Sequence, residues 1–284
     1  MRPAAGTPPH INITINVSPT PQELGGHAAA AIAQLLTQAI SQQGYARMIL
    51  STGASQFETL DALVKMDVAW EQVEMFHLDE YVGLPISHGA SFRKYLKERF
   101  VSKVSLKAAH FVDGEGDIQA NIESVSKELL KAPVDVGVIG IGENGHIAFN
   151  DPPADFNTKE AYKIVTLDER CKRQQVGEGW FADLDQVPKQ AVTMCVKQIM
   201  ACRHIVSAVR PASGGMLFLQ PGEAADCAFR PAGGGGLPDD AVSQQLYLRG
   251  GGIRRMLGPG GGKGEAAGAP AVRPAGGGRE GDRE

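Results

Sequence analysis

Apolar residues recur with two different periods along the first 209 positions, and the two periods alternate. Ile11-Asn-Ile-Thr-Ile-Asn-Val17 alternates apolar with polar residues, a period of two that predicts a β-strand. Residues 21–43 are instead rich in Ala, Leu and Gln, and they lie between Thr20-Pro21 and Gly44. Because Pro suits the first turn of a helix and Gly its end, this stretch predicts a long helix.

The same reasoning divides the following residues into short strands and helices. Apolar runs predict strands at 46–50, 74–78, 134–141, 161–166 and 204–209. Helices are predicted at about 56–66, 91–101 and 116–131. Strands that alternate with helices predict an α/β fold, with a three-layer, Rossmann-like, open and mostly parallel sheet that carries helices on both faces.

The last quarter of the chain differs in composition from the rest. Of the 35 glycines, 20 fall in residues 211–284, and the only lysine after Lys197 is Lys263. Such a segment buries too little apolar surface to offset the entropy of ordering it. We therefore expect one α/β domain over 10–209, a divergent or incomplete C-terminal part of that domain over 210–257, and a disordered Gly/Pro-rich tail over 258–284. A GC-rich gene read out of frame gives this composition, so we hypothesise a frameshift or real divergence near residue 210.

Composition and charge narrow the class of protein. The 284 residues are 43% hydrophobic and 21% charged, as in ordinary soluble globular proteins. A formal net charge of −4 offers no basic surface for a nucleic acid. The sequence has no run of about 18 apolar residues and no signal-peptide core, so we expect no membrane span and a cytoplasmic location.

The four cysteines lack zinc-site spacing, and Cys195 and Cys202 lie in apolar stretches typical of core residues.

Two loops that follow predicted strands carry polar groups. Ser51-Thr-Gly-Ala-Ser55 leads into a helix, where free N–H groups, hydroxyls and the helix dipole suit a phosphate. Packing and capping explain the same small residues equally well. Asp79 and Glu80 follow another strand, and alternation directs their side chains to different sides. We therefore expect one of these two carboxylates to point into a site, although both also fit solvated charges at a strand end.

A third loop holds the most informative residues. Val138-Ile-Gly-Ile-Gly142 ends an apolar strand in glycines, and Asn144, His146 and Asp151 follow within nine residues. Ligands of open α/β sheets bind at this carboxyl edge. A carboxylate that holds one imidazole nitrogen leaves the other free to move a proton, so the set suits acid–base catalysis. A structural histidine satisfied by the loop backbone is the alternative.

Read in order, these segments resemble the glucosamine-6-phosphate deaminase family, which shares its fold with the 6-phosphogluconolactonases. The resemblance covers about residues 20–209. It rests on four motifs: Ser51-Thr-Gly-Ala-Ser55, Phe76-His-Leu-Asp-Glu-Tyr-Val-Gly83, Ser91-Phe-Arg-Lys-Tyr95 and Gly140-Ile-Gly-Glu-Asn-Gly-His-Ile-Ala-Phe-Asn-Asp-Pro152. Lactonases usually carry Asp-Gly-His-Thr-Ala-Ser at the last motif, so Ile147-Ala-Phe-Asn150 favours the deaminase branch.

The resemblance implies conversion of glucosamine 6-phosphate to fructose 6-phosphate with release of ammonia, without a metal or organic cofactor. It implies that Asp79 is the base for the C1/C2 proton and that His146 is the ring-opening acid/base. Asn144 stands where relatives carry Asp or Asn, and Asp151, where most carry Glu, would orient His146. The predicted substrate contacts are Thr52, Gly53, Ala54, Ser55 and Gly142. The expected partners are an amino-sugar phosphate and, as is common in the family, further copies of the chain in a homo-oligomer.

Two basic residues of the family pattern are missing. The phosphate-binding lysine after the last core strand is absent, since no lysine lies between Lys197 and Lys263. Gly177-Glu-Gly179 stands where an arginine is expected before Trp180, with Arg170 and Arg173 upstream as candidate substitutes. Two other functions therefore stay open: a non-catalytic sugar-phosphate-binding homologue, and a lactonase-like hydrolase, which Asn144 and Phe149-Asn150 disfavour.

Overall fold

The computed structural model describes residues 12–142, 145–209 and 215–220, with side chains described for 16–142 and 145–209. The predicted site residue Asn144 lies outside the described residues. The same holds for most of the 210–257 segment and for all of the 258–284 tail. The predicted domain boundary near residue 210 and the disordered tail therefore stay predictions.

The described residues form ten strands and six helices. In chain order they are β1 (Asn12–Asn16), α1 (Pro21–Gln43), β2 (Ala46–Leu50), α2 (Phe57–Leu63), β3 (Val73–His77), β4 (Asp79–Tyr81), α3 (Phe92–Arg99), β5 (Ala108–His110), α4 (Ile118–Leu129), β6 (Val136–Ile139), β7 (Tyr162–Thr166), α5 (Glu169–Gly177), β8 (Gln190–Met194), α6 (Val196–Met200), β9 (His204–Val209) and β10 (Gly215–Gln220). No helix in this part of the chain has the length and apolar character to cross a membrane.

The main sheet has seven strands in the order β1-β10-β9-β6-β2-β3-β5. The five strands from β9 to β5 are parallel to one another, and β10 and β1 pair antiparallel at one end. This confirms the predicted α/β fold with a mostly parallel sheet. Strand β10 falls in the segment that composition marked as incomplete, and its apolar run Met216-Leu-Phe-Leu219 is a strand signal that the glycines around it obscured.

A second, smaller sheet was not predicted. Its three strands pair antiparallel in the order β4-β8-β7, so the predicted strand at 161–166 does not join the parallel sheet. β4 has only three residues, and it is a strand because Asp79 pairs with Thr193 and Tyr81 with Ala191, far along the chain. Local sequence patterns carry no signal for such distant pairing.

Helices cover both faces of the main sheet. α1 begins at Thr20, whose hydroxyl accepts a hydrogen bond from the Glu23 N–H, and ends at Gly44 in the left-handed region (φ 80°). Its buried stripe of Leu24, Ala28, Ile32 and Leu36 packs on one face of the sheet, together with residues of α2 and α3. Apolar residues of α4 and α6 pack on the other face. The predicted bounds of α1 are correct because both ends of the helix carry local capping signals.

Candidate functional site

The carboxyl ends of four parallel strands open into one cleft of about 250 Å³. The chain leaves β2 at Ser51, β3 at Leu78 and β6 at Gly140, while Val209 ends β9. This is where open α/β sheets bind ligands, as expected from the sequence. The described residues that line it are Ser51, Thr52, Gly53, Ala54, Ser55, Leu78, Asp79, Phe92, Gly140, Ile141, Gly142, His146, Ala148, Phe149, Gln174, Gln175, Glu178, Trp180 and Val209.

The loop after β2 forms one wall of the cleft. A short 3-10 turn at Ala54–Gln56 follows Gly53, whose carbonyl accepts a hydrogen bond of 2.9 Å from the Tyr95 hydroxyl. Gln56 Nε2 lies 3.1 Å from the Ser55 hydroxyl and 3.4 Å from the carbonyl of Ala208 in β9. These contacts hold the loop against α3 and β9, and its residues Ser51 to Ser55 line the cleft.

The neighbouring carboxylates Asp79 and Glu80 occupy two different environments. Asp79 lines the cleft and is 5% exposed, whereas Glu80 is fully buried and points away from it. Glu80 accepts hydrogen bonds from the Ser91 hydroxyl and from the N–H groups of Phe92 and Arg93 at the start of α3. Burial, followed by the charge of Glu80, raises the pKa of Asp79 to about 8. Only one of the two carboxylates faces the site, as alternation along the strand predicts.

His146 lies across the cleft on the loop after β6. Its Nδ1 is 3.4 Å from Asp151 Oδ1, and the two side chains are 10% and 13% exposed. The backbone closes the loop, because the N–H of Gly142 donates to the carbonyl of His146 and the N–H of Gly145 donates to that of Gly142, both at 2.9 Å. A carboxylate at Nδ1 favours the tautomer that carries its proton on Nδ1, so that Nε2 is the basic nitrogen of the ring.

Gly142 makes room for the imidazole of His146. A Cβ atom at this position would lie 2.1–2.6 Å from three ring atoms of His146. Any side chain here must therefore displace the ring or the loop.

We expect Gly142→Ala to move His146 and to lower kcat by about 100-fold, the scale of a misplacement of about 1 Å at a reacting centre. The matched control is Gly26→Ala, because a Cβ at Gly26 on α1 meets nothing within 4 Å. That variant should keep full activity and gain slightly in thermal stability, since Ala favours a helix. Full activity of Gly142→Ala would show that the ring does not need its observed position.

The structure brings most of the predicted site residues together. Seven of them line the cleft: Thr52, Gly53, Ala54, Ser55, Asp79, Gly142 and His146. Asp151 contacts the cleft through His146, and Asn144 lies outside the described residues. Their catalytic and binding roles stay predictions.

Helix α5 and the turn after it form a wall of the cleft that the sequence motifs do not predict. Gln174, Gln175, Glu178 and Trp180 line the cleft, and Glu178 accepts hydrogen bonds from Gln174 Nε2 at 2.7 Å and Trp180 Nε1 at 3.0 Å. The N-cap Asp168, which accepts from the Cys171 N–H, is a local signal that predicts this helix.

Neither candidate substitute for the missing arginine reaches the cleft. Arg170 is not among its lining residues, and Arg173 pairs with Glu169 on the exposed side of α5. Within the described chain the lining includes the carboxylates of Asp79 and Glu178 but neither lysine nor arginine. The charge that would oppose a bound phosphate is therefore not supplied by this part of the chain.

A comparison with known families matches residues 19–210 to the family described as glucosamine-6-phosphate isomerases/6-phosphogluconolactonase. The chain belongs to this family. Glucosamine-6-phosphate deaminase of Staphylococcus saprophyticus is 35% identical over 193 residues, which cover 64% of this chain and 77% of that protein. The deaminase of Oenococcus oeni is 33% identical over 176 residues, covering 62% and 72%.

Solved structures of the glucosamine-6-phosphate isomerase/6-phosphogluconolactonase family have the same fold. A monomeric glucosamine-6-phosphate deaminase aligns with a TM-score of 0.58 at 26% identity, over 66% of this chain and 78% of that one. The 6-phosphogluconolactonase of Trypanosoma brucei also reaches a TM-score of 0.58, at 19% identity over 72% and 84% of the two chains. The predicted homo-oligomer stays a prediction.

Proposed function

We propose that this family member is a glucosamine-6-phosphate deaminase, which releases ammonia and forms fructose 6-phosphate. The observation that carries the proposal is the meeting of Asp79 and His146 in one cleft, opposite the loop Ser51–Ser55. Two acid–base groups with different surroundings suit a reaction that needs ring opening and then a proton shift between two carbons. The relatives named above as deaminases support the same choice.

In this mechanism His146 opens the pyranose by moving a proton between the ring oxygen and the C1 hydroxyl. Its contact with Asp151 supports the role, because the carboxylate orients the ring and stabilises the protonated imidazole. Asn144, which lies outside the described residues, is predicted to take part in catalysis with them. Each such group typically contributes about 10²–10⁴-fold to a rate.

Asp79 then moves a proton from C2 to C1 while a second proton passes from the amine nitrogen to O1, so that C1 becomes a CH2OH group and the C2 amine becomes an imine. Water adds to C2 of the imine, ammonia leaves, and the ketose remains. A pKa of about 8 suits this work, since a general base is most effective when its pKa lies near the working pH. The ammonium group of the substrate, beside the carboxylate, would favour its ionised form.

Thr52, Gly53, Ala54 and Ser55 would hold the phosphate end of the substrate, and Gly142, which lies against the ring of His146, would contact the substrate near the reacting carbons. Backbone N–H groups and hydroxyls of a loop such as Ser51–Ser55 could contact a phosphate, although they carry no formal charge. Because the described cleft lining lacks lysine and arginine, we expect weak phosphate binding and a high KM unless residues beyond 209 contribute a cation.

The test is a coupled assay for ammonia and fructose 6-phosphate on purified protein, with glucosamine 6-phosphate as the substrate. Unphosphorylated glucosamine and 6-phosphogluconolactone are the comparison substrates. We expect both products in equal amounts from glucosamine 6-phosphate, little turnover of glucosamine and no lactone hydrolysis. Folded protein without ammonia release would contradict the proposal.

The missing cation favours a second candidate, the non-catalytic sugar-phosphate-binding homologue. Under this alternative, glucosamine 6-phosphate would raise the melting temperature through binding to the folded state, yet no ammonia would form. Thermal unfolding with and without the sugar phosphate, run beside the assay, separates the two functions.

A further inference from the structure

One buried hydroxyl connects the strand that carries Asp79 with the loop that carries His146. Thr193 on β8 is fully buried and is the register partner of Asp79 on β4. Its hydroxyl accepts hydrogen bonds from the Phe149 N–H at 3.1 Å and from Asn150 Nδ2 at 3.2 Å, and it donates to the Met194 carbonyl at 3.3 Å. Both acceptor positions and the single donor of the hydroxyl are therefore used.

The turn that Thr193 holds follows His146 directly and leads to Asp151. Ala148 within it has a φ of 53°, in the left-handed region that a residue other than glycine adopts at a cost. Such a conformation persists only where its surroundings fix it. Here Asn150 Nδ2, whose two hydrogens are shared among its acceptors, also lies 2.9 Å from the carbonyl of Ile147 and 2.8 Å from that of Met194, so it closes the turn on itself and ties it to β8.

We propose that Thr193 is a positioning residue that sets the location of His146 and Asp151 relative to Asp79. Asp79 on β4 is the register partner of Thr193 on β8. The loop that carries His146 is held by the hydrogen bond from the Phe149 N–H to the hydroxyl of the same Thr193. A shift of this hydroxyl would therefore move one acid–base group against the other. The catalytic consequence rests on the proposed function, whereas the structural coupling does not.

Thr193→Val keeps the branched shape of the side chain and removes the hydroxyl, which leaves the buried Phe149 N–H without its acceptor. We expect kcat for ammonia release to fall by about 10–100-fold, because small displacements of reacting groups have effects of this size. KM should stay unchanged, since the loop Ser51–Ser55 makes no described hydrogen bond to Thr193. Thr193→Ser keeps the hydroxyl and should restore kcat.

The matched control is Thr59→Val on α2, another buried threonine, whose hydroxyl has no hydrogen-bond partner within the described chain. It should keep wild-type kcat. Thr193→Ala carries the same expectation as Thr193→Val and covers the case in which the valine variant does not fold. A serine variant as slow as the valine variant, or a valine variant with wild-type kcat, would overturn the proposal.

Amide hydrogen exchange tests the positioning without any need for turnover. In Thr193→Val we expect faster exchange at Phe149 and Asn150 and unchanged exchange in β2, while Thr193→Ser and Thr59→Val match the wild type. Unchanged exchange at Phe149 overturns the proposal, whether or not the wild type releases ammonia. Absence of ammonia from the wild type alone counts against the proposed function, and the exchange data still decide the role of Thr193.

Discussion

Asp79→Asn is expected to lower kcat for ammonia release by at least about 100-fold, the lower end of what a general base contributes. The amide of Asn has the same shape as the carboxyl group of the buried Asp79, but it cannot accept a proton from carbon. Steady-state kinetics of the purified variant measure the loss. The matched control is Asp61→Asn, which alters an aspartate with a 55% exposed side chain, 3.9 Å from Lys103, and should keep full activity. Wild-type turnover by Asp79→Asn would contradict the assigned base.

The same substitution should stabilise the fold at alkaline pH. Burial raises the pKa of Asp79 from 3.8 to about 8, so between these values the folded chain binds more protons than the unfolded chain. The free energy of unfolding therefore falls as the pH rises from about 4 to about 8, and the loss is complete above the folded pKa. Asn has no such proton. The stability gain of the variant over the wild type should therefore grow from pH 5 to pH 9.

Urea unfolding at pH 5, 7 and 9 measures this difference. Asp61→Asn should show a constant difference from the wild type over the same range, since its side chain is largely in solvent. An equal stability of Asp79→Asn and wild type at all three pH values would show that the carboxylate is better solvated than its burial indicates.

The sequence predicts those parts of this fold whose signals are local. The bounds of α1 follow from Thr20, Pro21 and Gly44, and β2 and β9 follow from short, mostly apolar segments. β4 and β8 carry no such signal. β4 is a strand only through antiparallel pairing with β8, at positions more than 100 residues away, and β8 lies between β4 and β7 in the smaller sheet. β5 has three residues, too few for any period to show.

The candidate site also has parts that the sequence predicts and parts that depend on tertiary packing. Three of its loops can be found because they follow strands, and topology brings the ends of parallel strands to one edge. The wall made by Gln174, Glu178 and Trp180 depends on how α5 packs, which no motif encodes. The raised pKa of Asp79 likewise comes from tertiary burial. Alternation along the strand indicates that Asp79 and Glu80 diverge, but only packing shows which of them faces the cleft.

Glu80→Gln is expected to destabilise the fold by about 3–5 kcal/mol, the usual effect of breaking a buried ion pair from one side. Glu80 is fully buried and lies 3.2 Å from the guanidinium of Arg93, whose side chain is 6% exposed. An amide would turn one of the two acceptor oxygens into a donor among N–H groups. It would also remove the negative charge at the start of α3, where the helix dipole favours an anion.

The matched control changes a second carboxylate on the same arginine. Glu115 lies 2.7 Å from Arg93 with a side chain that is 42% exposed, so Glu115→Gln should shift the urea midpoint much less than Glu80→Gln. Equal shifts for the two variants would mean that the burial of Glu80 adds nothing to the strength of the pair.

Glu80→Gln also separates the structural role of Glu80 from its electrostatic effect on Asp79. The charge of Glu80 is the second cause of the raised pKa of Asp79, after burial. Removal of that charge should lower the pKa of Asp79, so the rise of kcat/KM with pH should move to lower pH in the variant. Glu115→Gln, whose charge is not among the causes of that pKa, should leave the profile in place. Because kcat/KM reports the ionisation of the free enzyme, a pH profile taken where the variant is folded measures this shift directly. If Glu80→Gln is destabilised but its pH profile of kcat/KM does not move, Glu80 only anchors the start of α3 and does not affect the pKa of Asp79.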